Sequence, residues 1–127
     1  MGKLYQHIAS RLAAIENCRK HGNSEWIDRH TEWIEDILKE KLPSGSGFDS
    51  GTLLNWERST PNKLIFLTSF HHMDEHGGYD GWTEHEVIVT PDLASGFNLR
   101  VTGRDRNGIK DYIGDIFADT LSAECVG

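Results

Sequence analysis

Phe97-Asn98-Leu99-Arg100-Val101-Thr102-Gly103 decides the fold. Apolar and polar residues alternate, the two-residue period of a strand with one face on a core and the other in water. Gly103 ends the pattern. Beyond it, Ile109, Ile113, Ile116, Phe117 and Leu121 recur at helical spacing, and Asp105 or Asn107 is placed to cap that helix. Working backwards, residues 91–96 turn the chain and residues 82–90 form another strand. Residues 74–81, with three glycines, read as a loop. Residues 64–73 are the strongest strand, and Leu64-Ile65-Phe66-Leu67 predicts burial on both faces. Ser59-Thr60-Pro61-Asn62 is a turn, and residues 52–58 read as a short strand.

The first third follows a different period. Leu4, Ile8, Leu12 and Ile15 fall on one helical face. Gly22 is a natural helix stop, and Asn23 or Ser24 can cap a second helix with Glu25 near its positive end. Trp26, His30, Trp33 and Ile37 form its stripe, widened by Ile27, Ile34 and Leu38, and are expected in the core or at a contact between subunits. The whole reads as one α+β domain over 1–127, in the order ααββββα. A helical hairpin (1–42) leads through a Gly/Ser hinge loop (43–51) to a four-stranded antiparallel meander and a C-terminal helix packed on the sheet (52–127).

Composition narrows the function. With 127 residues, 37% hydrophobic and 26% charged, the chain is globular and long enough for one core. All of the −7 net charge lies after residue 43, where six Lys/Arg face thirteen Asp/Glu. That balance argues against binding a nucleic-acid polymer. No apolar run approaches the roughly 18 residues of a membrane span. The opening Met-Gly-Lys-Leu-Tyr-Gln-His predicts no secretory leader. Cys18 and Cys125 offer neither a disulfide framework nor a metal pair.

Four clusters could carry chemistry. Arg100, Arg104, Arg106 and Lys110 are four of the six cations after residue 43, and they gather around a strand end and a helix start. Guanidinium forks and free helix N–H groups both suit phosphate or carboxylate. The ordinary alternative is a solvated surface paired with nearby acids. Tyr79 and Trp82 lie in a glycine-laced loop and could stack a base, with Asn98 and Asn107 adding polar specificity. They could equally close the end of the core. His71, His72, His76 and His85, with Asp74 or Glu75, are metal-ligand types, although their spacing fits no metal signature and adjacent strand residues point to opposite faces. Gly45-Ser46-Gly47-Phe48-Asp49-Ser50-Gly51-Thr52 is either a ligand-wrapping loop or a connector. Ser46 and Ser50 lie in no nucleophile elbow.

Residues 43–52, Phe70-His71-His72-Met73 with Tyr79-Asp80-Gly81-Trp82-Thr83-Glu84-His85, and residues 102–113 together resemble a family of small tailed-bacteriophage proteins without an assigned activity. The resemblance implies a phage protein in a bacterial host cytoplasm, where small accessory proteins often counter host defence. The leading expectation is therefore a non-enzymatic homo-oligomer, without cofactor, that sequesters a small anionic, nucleotide-like immune signal. Two alternatives stand beside it. One is a metal-dependent hydrolase built on the histidines. The other is an acidic inhibitor of a host protein.

Overall fold

The computed structural model describes residues 2–42, 52–94 and 96–125. The elements are β1 (Gly2–Lys3), α1 (Leu4–Lys20), α2 (Ser24–Lys41), β2 (Leu53–Leu54), β3 (Leu64–Met73), β4 (Tyr79–Asp92), β5 (Gly96–Val101), α3 (Ile109–Ser122) and β6 (Glu124–Cys125). Strands β2-β3-β4-β5 form an antiparallel sheet in that order, and β1 pairs with β6. The arrangement is α+β: two N-terminal helices, an antiparallel meander and a C-terminal helix on the sheet. The terminal pair β1–β6 is an addition that two residues on each side gave no periodicity to reveal.

Periodicity explains the core. Leu4, Ile8, Leu12 and Ile15 of α1 are all buried, as are Ile27, Ile34 and Leu38 of α2. Trp26 departs from the expected core stripe. It is exposed, and the Arg29 guanidinium lies over its ring. Ile27 occupies the inward position instead, because the true centre of the apolar arc lies one residue further round the helix. Gly22 adopts φ +68°, the left-handed conformation that ends a helix at little cost for glycine.

Leu54, Leu64, Phe66, Val87 and Val89 project from the sheet into the same core as Ile109, Ile113, Phe117 and Leu121 of α3. Burial on both faces of β3 holds for Leu64, Ile65 and Phe66 but stops at Leu67, which is 39% exposed. Ile65 is enclosed beside the turn at residues 55–63, where its N–H donates to Ser59 Oγ. The expected strand over 52–58 is only Leu53–Leu54, since the chain then turns and Ser59 N–H reaches back to the Asn55 carbonyl. The expected loop over 74–81 is shorter than predicted, because β4 begins at Tyr79. Asp74 closes that loop by accepting the His76 and Gly78 N–H groups.

The other sheet face is open except at Ile65, which the turn at residues 55–63 covers, with Arg58 of that turn reaching Glu86. Register places Leu53, Leu67, Trp82, Glu84, Glu86, Ile88, Thr90, Asn98 and Arg100 on it, opposite the buried residues. Leu53, Leu67, Trp82, Glu84, Asn98 and Arg100 are exposed there. Among the described residues, no helix is long and apolar enough to cross a membrane. The hinge-loop residues 43–51, with Ser46 and Ser50, lie outside the described residues.

Candidate ligand-binding site

The sequence-predicted site residues do not meet in one place. Arg106 turns to the β3–β4 hairpin, where its guanidinium donates to the Asp80 carbonyl at 2.6 Å and pairs with the Asp80 carboxylate. It also lies against Gly81, where a Cβ would stand 3.6 Å from its Nη1. This is the paired alternative for that arginine. Asn107 has φ +57° inside the turn before α3, and Gly108 precedes the helix at φ +74°. The helix start is capped from further back, since Asp105 Oδ1 accepts the Lys110 N–H at 3.0 Å. Arg104 is exposed on the same turn.

Arg100 and Asn98 are elsewhere, on the open face of β5. With Lys63, Ile88, Thr90 and Leu99 they line a hollow of about 290 Å³. Its polar lining residues are Lys63, Arg100, Asn98 and Thr90, and among the described residues none of the lining is acidic. Arg100 also borders a second groove of about 420 Å³ between β5 and α3, shared with Lys110, Asp111 and Asp115. Acidic and basic residues are balanced in that lining, two of each, so it offers an anion no net charge. Lys63, Asn98 and Arg100 make no side-chain hydrogen bond or ion pair among the described residues. Lys63 and Thr90 escaped the sequence reading. Only the register, with Leu64 opposite Val89 and Thr90 opposite Asn98, shows that they converge.

Trp82 and Tyr79 share the open face but lie at its far end. Trp82 is eight residues from Thr90 along β4, roughly 26 Å at about 3.3 Å per residue. It stands opposite His71, whose ring contacts Tyr79 at 5.5 Å between centroids. Among the described residues Asn98 and Arg100 therefore lie far from Trp82 and Tyr79, while Arg106 reaches the hairpin that carries both rings.

The histidines are spread over the hairpin and its loop. Among the described residues, no group of three His, Cys, Asp or Glu is placed to hold a metal ion. His76 is exposed at the loop tip near Glu75, and His71 faces away from His72. His72 and His85 do converge, but on a hydroxyl. His72 Nε2 lies 2.8 Å from Thr83 Oγ1, which lies 2.7 Å from His85 Nε2, and His85 Nδ1 lies 2.6 Å from the Thr102 carbonyl. A carbonyl only accepts, so His85 carries its proton on Nδ1 and its neutral Nε2 accepts from Thr83. Thr83 then accepts from His72 Nε2–H. Both rings are buried, at 5% and 1% exposure. Burial holds the His72 pKa below the ordinary imidazole value, and the positive charge of Arg106 and the neighbouring His85 lower it further.

The stability consequence has a definite sign. The unfolded chain takes up the His72 proton near pH 6.5 while the folded chain still resists it. Stability falls as pH drops from about 6.5 towards the lower folded value, and His72 adds no further loss below that value. Urea midpoints measured from pH 8 to pH 5 are expected to show this decline. His72→Gln, which keeps an amide donor for Thr83, is expected to remove the His72 share of it.

Fold and grooves together define an α+β protein with helices on one sheet face and a cationic hollow on the other. Comparison with protein-family models, curated proteins and solved structures finds no match.

Proposed function

We propose that the protein binds a small anionic, nucleotide-like ligand without chemically transforming it, and that the hollow on the open sheet face is the site. The observation that carries this reading is the pair of cations, Lys63 and Arg100, that have no side-chain partner among the described residues, in a region otherwise dominated by acids. An anion entering the hollow meets two positive charges, the Asn98 amide and the Thr90 hydroxyl, and displaces no internal ion pair. Arg106 is already engaged by Asp80, so it belongs to the scaffold. The resemblance to phage accessory proteins supports a counter-defence setting in which the ligand is a host signal withheld by binding.

Calorimetric titration with cyclic dinucleotides, cyclic trinucleotides and ADP-ribose tests the proposal. Arg100→Ala is expected to weaken binding about tenfold to a hundredfold, the usual worth of a charged hydrogen bond. Lys63→Ala is expected to weaken it less, and Arg106→Ala to leave it unchanged. Absence of heat with every ligand, or binding indifferent to Arg100→Ala, overturns the reading.

A further inference from the structure

The two edges of the main sheet are treated differently. At the β2 edge the chain supplies its own cap. Asn55 N–H donates to the Ile65 carbonyl, so Leu54 N–H points away from β3, and Glu35 Oε2 accepts it at 3.1 Å. The β5 edge has no such cap among the described residues. Thr102 N–H donates to the Glu86 carbonyl, and that bond fixes the phase of the antiparallel ladder. Asn98, Arg100 and Thr102 exchange bonds with β4, while Leu99 and Val101, at the alternate positions, aim N–H and C=O outward. Neither outward pair has a hydrogen-bond partner among the described residues. The start of the strand differs, because the Tyr5 ring lies against Phe97 at 5.2 Å between centroids.

The groove of about 420 Å³ between β5 and α3 borders this bare stretch. Gly114 and Ala118, one turn apart on α3, line it and leave the room that larger side chains would fill. Gly114 lies close in, since a Cβ there would stand 3.7 Å from Val101 Cγ2. Alternation sends the Arg100 side chain to the open face, so the charges on the α3 side are Asp111, Asp115 and Lys110. Both aspartates are exposed, and neither has an ion pair among the described residues.

We infer that the β5 edge docks an extended peptide segment of another protein, which adds antiparallel to β5 and carries an apolar residue opposite Leu99 and a lysine or arginine opposite Val101. The residue opposite Leu99 exchanges two main-chain bonds with it, and the residue opposite Val101 exchanges two more. An uncapped edge is a template for such a strand, and main-chain bonds of this kind supply affinity while side chains select. Both selected side chains point towards α3. The apolar one rests on Leu99 and the small surface of Gly114 and Ala118. The basic one, beside Val101 and Gly114, reaches Asp111 and Asp115. The net charge of −7 favours the approach of a cationic segment. The anion hollow lies on the other sheet face, so this site stands or falls independently of it.

The probe is the capped peptide Thr-Lys-Thr-Val-Thr, titrated into the isotope-labelled full chain and followed by amide resonances. The Leu99 and Val101 amides are expected to move most and to gain protection from deuterium exchange, with Asn98 and Arg100, already bonded to β4, moving less. Methylating the valine nitrogen of the peptide is expected to weaken binding roughly fivefold or more, by removing one donor and crowding the edge. Replacing its lysine by glutamate is expected to weaken binding about threefold or more, and the double variant Asp111→Asn with Asp115→Asn to bind the two peptides alike. No movement at Leu99 and Val101 at the highest peptide concentration overturns the inference. So does equal binding of the methylated peptide, or a wild-type chain indifferent to the exchange of lysine for glutamate. Sedimentation separates the remaining occupant, a second copy of the chain. Leu99→Pro removes only an outward N–H, the edge position where a strand tolerates proline. A wild-type dimer that this variant dissolves assigns the edge to self-association and overturns the peptide reading; a wild-type monomer supports it.

Discussion

Gly103→Ala is expected to lower the unfolding free energy by about 3–5 kcal/mol, combining left-handed backbone strain with overpacking. Gly103 sits at φ +91°, and a Cβ there would collide with the Glu84 carbonyl and stand 2.8 Å from His85 Nδ1. The atoms it meets cannot yield cheaply. One is strand backbone, and the other is the nitrogen whose proton binds the Thr102 carbonyl. Any shift that relieves the contact lengthens that bond and loosens the path from β5 to the turn carrying Arg106. Urea denaturation followed by circular dichroism measures the loss. Gly77→Ala is the comparison, because Gly77 shares a positive φ but has open space at its Cβ position. A much smaller loss there would separate crowding from backbone strain. Equal losses would refute the crowding argument.

Phe66→Ala is expected to cost a similar amount, about 3–5 kcal/mol, through lost transfer energy and the cavity left behind. Its side chain is fully buried, and its ring packs against Phe117 at 6.0 Å between centroids. The substitution therefore removes a principal contact between sheet and C-terminal helix. Against a typical total of roughly 5–15 kcal/mol it removes a large share of the stability. Leu67→Ala, one residue on and facing the other way, is expected to cost less than about 1 kcal/mol in the monomer. The same denaturation curves compare them. Near-equal losses would show that the open face is covered.

These neighbours also show which parts of the molecule could be read in advance. The alternation Phe97–Val101 and the α1 stripe are local patterns fixed by one element's own geometry, and both appear as expected. Trp26 misled because an aromatic at helical spacing signals an apolar arc without fixing its centre. The histidines are a different case: His72 and His85 meet through Thr83, a residue with no metal chemistry that drew no notice. Thr83 and His85 lie two apart on one strand, so a shared face could have been inferred; the third member depended on register. Arg106 with Asp80, and Lys63 with Asn98, are joined only by tertiary approach. No periodicity reports such pairs, so the cations could be counted but not sorted into engaged and available ones.

The pairing of β1 with β6 bears on how the molecule assembles. Gly2 opposes Cys125 and Lys3 opposes Glu124, while Leu4 N–H donates to the Ala123 carbonyl at 2.9 Å. Closing this contact before anything else has formed would mean ordering a loop of nearly the entire polypeptide for a handful of bonds. Loop entropy makes that an improbable nucleus. The hairpin β3–β4 and the α1–α2 pair, close in sequence, are the economical places to begin. The ends then join as a clasp over a nearly finished core, and their amides should be among the first to exchange with deuterium.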